Sequence, residues 1–122
     1  METKDTANIG LSEDMHVKLR EMTDNGVFSD MKDGYRLAVS IAIKQGLDVE
    51  ERKLVNRKNM YDVGGVDEDF IFRNAISLIY PDKKYMEYRH LEKLADAGIE
   101  YLYSFYDETG NLDIVLALNN DS

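Results

Sequence analysis

Cysteine is absent from the 122 residues. Its absence removes disulfides, thiolate nucleophiles and thiolate metal sites together. No apolar run approaches the roughly 20 residues that a membrane-spanning helix needs. The opening residues Met1-Glu2-Thr3-Lys4-Asp5-Thr6 have no apolar signal core. The expectation is a cytoplasmic protein without membrane contact. Positive charge is scarce, with 15 Lys and Arg against 24 Asp and Glu, a net of −9. Such a balance opposes non-specific binding to nucleic acid. The deficit is uneven. Residues 1–47 carry six basic and eight acidic side chains, and residues 48–122 carry nine and sixteen. A broad basic groove is excluded, but a small DNA-reading face on the first part is not.

What the chain does have is hydrophobic periodicity, within a hydrophobic content of 43%. Ala7, Ile9 and Leu11 alternate with Thr6, Asn8 and Gly10, which predicts a short strand. Ser12 then reads as a helix N-cap, with Glu13 and Asp14 in the first turn. Met15, Leu19 and Met22 form one apolar stripe over residues 13–24, and Asn25-Gly26 ends the helix. Val27 and Phe28 plug the angle before the next one. Ser29 or Asp30 caps a second helix over residues 30–45, closed by Gly46. Its apolar set of Met31, Tyr35, Ala38, Ile41 and Ala42 is flanked by Leu37, Val39 and Ile43. That is too broad for one buried face, and it suits a helix packed on its own chain and on a partner.

Residues 48–66 read as a linker, charged at Glu50-Glu51-Arg52-Lys53 and Arg57-Lys58, with a turn at Gly64-Gly65. Asp67 caps a third helix whose face is Ile71, Ala75, Leu78 and Ile79, widened by Phe70, Phe72 and Ile76. Pro81 ends it. Asp82 starts a fourth helix with Tyr88, Leu91, Leu94 and Ala95 inward, and Gly98 breaks or bends it. Residues 112–118 fit either a short strand or a last helical turn. The expected fold class is mainly α. A strand-helix-helix unit at 1–47 is followed by a linker at 48–66 and an acidic helical module at 67–122.

Several groups of side chains carry potential chemistry. Arg52, Lys53, Arg57 and Lys58 form the one basic cluster, suited to phosphate or an acidic partner, or simply solvated. His16 and His90 sit on helices without the converging ligands a metal needs, although Glu87 precedes His90 by three residues. Gly64-Gly65 before a helix lacks the Gly-Lys-Ser/Thr of a phosphate loop. Asp62, Asp67 and Asp69 do not fit a calcium loop. Tyr80, Tyr85, Tyr88, Tyr101, Tyr103 and Tyr106 suit either an interaction surface or the skin of packed helices. No base stands beside a nucleophile as an activated pair requires, so no catalytic residue, metal or cofactor is expected.

Ile9-Gly10-Leu11-Ser12, the stripe Met15, Leu19 and Met22, Asn25-Gly26, and Ser29 with the apolar helix to Gly46 together resemble a ribbon-helix-helix domain of the MetJ/Arc type. The resemblance covers residues 7–47, about a third of the chain. It implies that strands of two chains pair in an antiparallel ribbon that enters the major groove, where Asn pairs bidentately with adenine. Lys4, Thr6, Asn8 and Gly10 would then face DNA, with the amides near Ser29 holding a phosphate. Gly10 in the strand and the few basic residues around it depart from the family pattern. Phe28-Ser29-Asp30-Met31-Lys32-Asp33, with Ala38 and Gly46, also resembles small accessory proteins of DNA phosphorothioation systems, which implies a role in phage defence. The expected function is a homodimeric, antitoxin-like regulator binding double-stranded DNA. The alternative is a non-enzymatic accessory module that binds a protein through its C-terminal part and does not bind DNA.

Overall fold

The computed structural model describes residues 5–106 and Leu118. Lys4 and residues 112–117 lie outside them. In order, the chain forms β1 (Asn8–Leu11), α1 (Glu13–Asp24), α2 (Met31–Gln45), β2 (Lys58–Asp62), α3 (Val63–Val66), α4 (Ile71–Ile79), a 3-10 turn (Pro81–Lys83) and α5 (Glu87–Tyr103). The class is mainly helical, with one short antiparallel sheet near the N-terminus.

Local signals place the first helices. Ser12 is extended, and its Oγ accepts the Met15 amide at 3.3 Å. Met15, Leu19 and Met22 are buried, as their spacing predicts. The Asp30 carboxylate accepts the Asp33 amide at 2.8 Å and caps α2, which ends at Gly46 in the left-handed region, at φ 60°. Between Ser29 and Asp30, it is therefore Asp30 that caps.

The segment expected as a linker, residues 48–66, instead contains β2 and α3. β2 pairs with β1 inside one chain, with Asn8 opposite Asp62, Ile9 opposite Tyr61, Gly10 opposite Asn59 and Leu11 opposite Lys58. The sequence of β2 hides this because no residue in it is fully buried. Backbone pairing with a buried neighbour holds the strand, so it needs no apolar alternation of its own.

Gly10, expected to face outward, is buried. Its amide donates to Glu92 Oε2 at 3.2 Å, and its carbonyl accepts the Tyr35 hydroxyl at 2.9 Å. A bulge falls between Ile9 and Gly10, and a Cβ at Gly10 would stand 1.9 Å from the Lys58 carbonyl oxygen. Glycine is required there by close backbone approach.

The breadth of α2 is also accounted for within one chain. Tyr35, Ala38, Val39, Ile41 and Ala42 are buried, with α2 lying along α5 and touching α1. Gly98 does not break α5. It is the crossing point, where a Cβ would lie 2.0 Å from the Ala38 carbonyl oxygen. The last long helix begins at Glu87 rather than Asp82, because Pro81–Lys83 form the 3-10 turn. Ile9, Leu19, Tyr35, Leu91, Leu94 and Ile99 belong to one buried cluster. The two halves of the described chain thus share a core.

Candidate functional site

Two carboxylates one helical turn apart on α5 organise the surface around β1. Glu92 accepts the Gly10 amide and pairs with Arg57 at 3.0 Å. Asp96 accepts both the amide and the hydroxyl of Ser12, at 2.8 and 2.9 Å, and pairs with Arg52 at 2.8 Å. The Arg52 guanidinium also donates to the Asp96 carbonyl and approaches Glu100 at 3.5 Å. Taking two acids out of water demands such partners. The basic cluster of the sequence is therefore divided. Arg52 and Arg57 turn onto α5, whereas Lys53 and Lys58 stay exposed. A sequence signal for this existed. Glu92 and Asp96 recur at i, i+4 among Leu91, Leu94, Ala95 and Ala97, where an uncompensated acid pair would be costly.

Thr6 and Asn8 do come together with Arg57. With Asn59, Arg89 and Glu92 they line a cleft of about 400 Å³. The Thr6 hydroxyl bonds both the amide and the carbonyl of Asn8, and Arg57 donates to that carbonyl at 3.0 Å. The first amides of α5 are occupied by the chain itself, since Asp5 accepts from Tyr88 and Arg89 at 2.8 and 2.9 Å. Ser29 lies apart, with its hydroxyl bonded to the Asp33 carboxylate. The amides at the start of α2 face Asp30 and Asp33, so carboxylates already fill that helix end.

α4 is oriented differently from its predicted face. Ile76 is fully buried and Phe72 half-buried, while Ile71, Leu78 and Ile79 are exposed, Leu78 to 83%. Asp67, four residues before the helix, fixes this orientation. Its buried carboxylate accepts the amides of Phe72 and Arg73 at 2.9 and 3.0 Å and the Tyr88 hydroxyl at 2.9 Å. Phe70 and Tyr85, at either side of α4, are exposed aromatics in the left-handed region, at φ 57° and 73°. Bulky residues rarely adopt that conformation.

Most of the tyrosines line helix packing. Tyr80 rests on His90 with ring centroids 4.5 Å apart, Tyr101 on Phe105, and Tyr103 donates to Glu21 at 2.8 Å. The Asn25 amide donates to the Tyr106 hydroxyl. Tyr85 alone of the six is exposed.

Burial first, and then Arg20 and Lys58, lower the His16 pKa. His90 is lowered chiefly by burial and secondly by Lys83. Among the described residues no cluster of His, Asp and Glu could hold a metal ion, and no helix is long and apolar enough to cross a membrane.

No protein-family model matches this chain, and neither a curated protein nor a solved structure does so.

Proposed function

We propose that this protein is a non-enzymatic interaction module that docks an amphipathic helical segment of another protein on α4. The observation that carries this is the stripe Ile71, Ala75, Leu78 and Ile79, at i, i+4, i+7 and i+8, left largely uncovered while Ile76 packs inward. Contiguous exposed apolar surface of this kind is uncommon on a protein without a partner. The stripe is the spacing by which helices recognise one another. Exposed Glu68 and Asp69 stand before it, and the chain carries −9 overall. That charge repels a second copy and favours a partner whose apolar stripe is flanked by Lys and Arg.

The test uses a fluorescent Leu- and Lys-rich amphipathic peptide. Wild-type protein should bind it saturably, and Leu78→Glu should abolish binding. Equal binding by both proteins overturns the proposal. So does a dimer in light scattering that Leu78→Glu converts to monomer, since the occupant would then be a second copy.

DNA binding is the second reading, favoured by the cleft that gathers Thr6, Asn8, Arg57, Asn59 and Arg89. The ribbon would be β1 and β2 of one chain. Asn8→Ala should weaken binding to duplex DNA, with a negative dependence of log affinity on log salt. Unchanged affinity in Asn8→Ala sinks strand readout.

A further inference from the structure

A second cleft, of about 530 Å³, shares Arg89 and Glu92 with the first. Three segments separated in sequence build it. Arg52 and Lys53 come from the stretch before β2, Lys83 from the 3-10 turn, and Arg89, His90 and Lys93 from the first half of α5. Five of these six side chains are cationic, in a chain of net charge −9, and of the five Arg52 is already paired with Asp96 and Glu100. Like charges gathered in a concave wall repel one another and are relieved by a bound anion. Of the two acids in the wall, Glu92 is already held by Gly10 and Arg57, and Asp82 by Lys83 at 3.4 Å. Leu54 and Met86 supply an apolar patch.

Two details point to a ligand. His90 is only 5% exposed, and its Nε2 has no hydrogen-bond partner. A buried polar nitrogen left so is costly, and it belongs to a residue of the cleft wall. Glu50 meanwhile stands at the cleft as an internal anion. Its carboxylate takes Lys83 Nζ at 2.9 Å while remaining 54% exposed, and its carbonyl accepts from Lys93 at 3.5 Å.

We propose that this cleft binds a phosphorylated small molecule of nucleotide size. Its phosphate oxygens meet Lys53, Lys83, Arg89 and Lys93 beside His90, and its ring or other apolar part lies on Leu54 and Met86. The volume suits such a ligand. Binding displaces the Glu50 carboxylate from Lys83. The inference is independent of docking on α4, which uses a different surface.

Calorimetry on the full chain tests it, with ADP, inorganic pyrophosphate, adenosine and a short DNA duplex as probes. ADP and pyrophosphate should bind, and adenosine should not. Lys53→Ala and Lys93→Ala should each weaken ADP by about tenfold, the scale of one charged hydrogen bond. Lys58→Ala, outside the cleft, should leave ADP binding unchanged. Glu50→Gln should tighten it by about threefold, because Lys83 loses its internal competitor. A merely structural role for Glu50 would give the opposite sign. Lys53 is exposed, so its removal does not threaten the fold. The proposal is overturned if neither ADP nor pyrophosphate binds at millimolar concentration, or if Lys53→Ala and Lys93→Ala change nothing. It is also overturned if adenosine matches ADP, or if only the duplex binds.

Discussion

The carboxylate of Asp96 accepts the Ser12 amide at 2.8 Å, joining the start of α1 to the middle of α5 across 84 positions of sequence. The same carboxylate holds Arg52, and one turn earlier Glu92 repeats the arrangement with Gly10 and Arg57. Two acids on one helix thus fasten both the N-terminal strand and the segment that runs into β2.

Asp96→Ala should be strongly destabilising. The acid is 2% exposed, and its loss strands a partly buried guanidinium together with the amide and hydroxyl of Ser12. Breaking such a pair from one side costs about 3–5 kcal/mol. Urea unfolding by circular dichroism measures it. A loss below about 1 kcal/mol, the scale of an exposed surface pair, would show that the pair is not a fastening.

Gly98→Ala should destabilise by about 1–3 kcal/mol through overpacking. The added methyl would lie 2.0 Å from the Ala38 carbonyl oxygen, so α2 and α5 must move apart. Helix propensity pulls the other way, since Ala is favoured over Gly in a helix interior. A stabilised variant in thermal unfolding would mean that the crossing is looser than described.

Leu78→Ser should leave folding stability within about 0.5 kcal/mol, because the side chain is 83% exposed. Ile76→Ala, two residues earlier and fully buried, should cost about 2–5 kcal/mol. The pair of denaturation curves reports which face of α4 is inward. Equal losses would contradict the orientation.

Acid should weaken the fold through His90. Burial, then Lys83 and Lys93, hold its pKa below the ordinary imidazole value, against the opposing pull of Glu50 and Asp82. A depressed folded value means that the unfolded chain binds the proton first. The stabilisation is therefore present above about pH 6.5 and lost as pH falls through the folded value. Chemical denaturation at stepped pH should show stability falling from pH 7.5 towards 5, and His90→Gln should flatten that slope. An unchanged slope in the variant assigns the effect elsewhere.

Alkali also weakens the fold, through Tyr35 and Tyr88. Burial first, and then the Asp67 hydrogen bond for Tyr88 and Glu92 for Tyr35, raise both phenols above the ordinary range. The unfolded chain loses these protons first, so stability falls as pH rises above about 10. Ultraviolet titration of the native protein should show phenols that ionise only on unfolding. Full titration of all eight tyrosines below the unfolding pH would contradict this.

The limits of α1 and α2 were legible because their causes are local. Ser12, Asp30, Gly26 and Gly46 act on backbone groups within a few residues, and a cap reads the same whatever the chain does elsewhere. The stripe Met15, Leu19 and Met22 is likewise local, and it is buried. Of the residues expected at a site, Thr6, Asn8 and Arg57 share one cleft, whereas Ser29 stands apart and Gly10 is buried. A period-2 pattern assigns faces to a strand but cannot anticipate the bulge beside Gly10 or the hydroxyl of Tyr35 waiting there.

The sequence by itself determined the mainly helical class, the strand at its start and where α1 and α2 begin and end, because caps, glycines and period are short-range quantities. Only the tertiary structure decided that β1 pairs with a polar strand expected to be linker, that Arg52 and Arg57 neutralise Asp96 and Glu92, and that α4 turns Ile76 rather than Leu78 inward. Strand partners and these ion pairs join residues 35 to 54 positions apart. α4 is amphipathic, with Arg73, Asn74 and Ser77 on one side, but Ile76 and Leu78 lie at opposite edges of its wide apolar arc, so its own pattern does not choose between them. Asp67 chooses it, through a local bond from the Phe72 amide and a long-range one from the Tyr88 hydroxyl that forms only once α5 is in place.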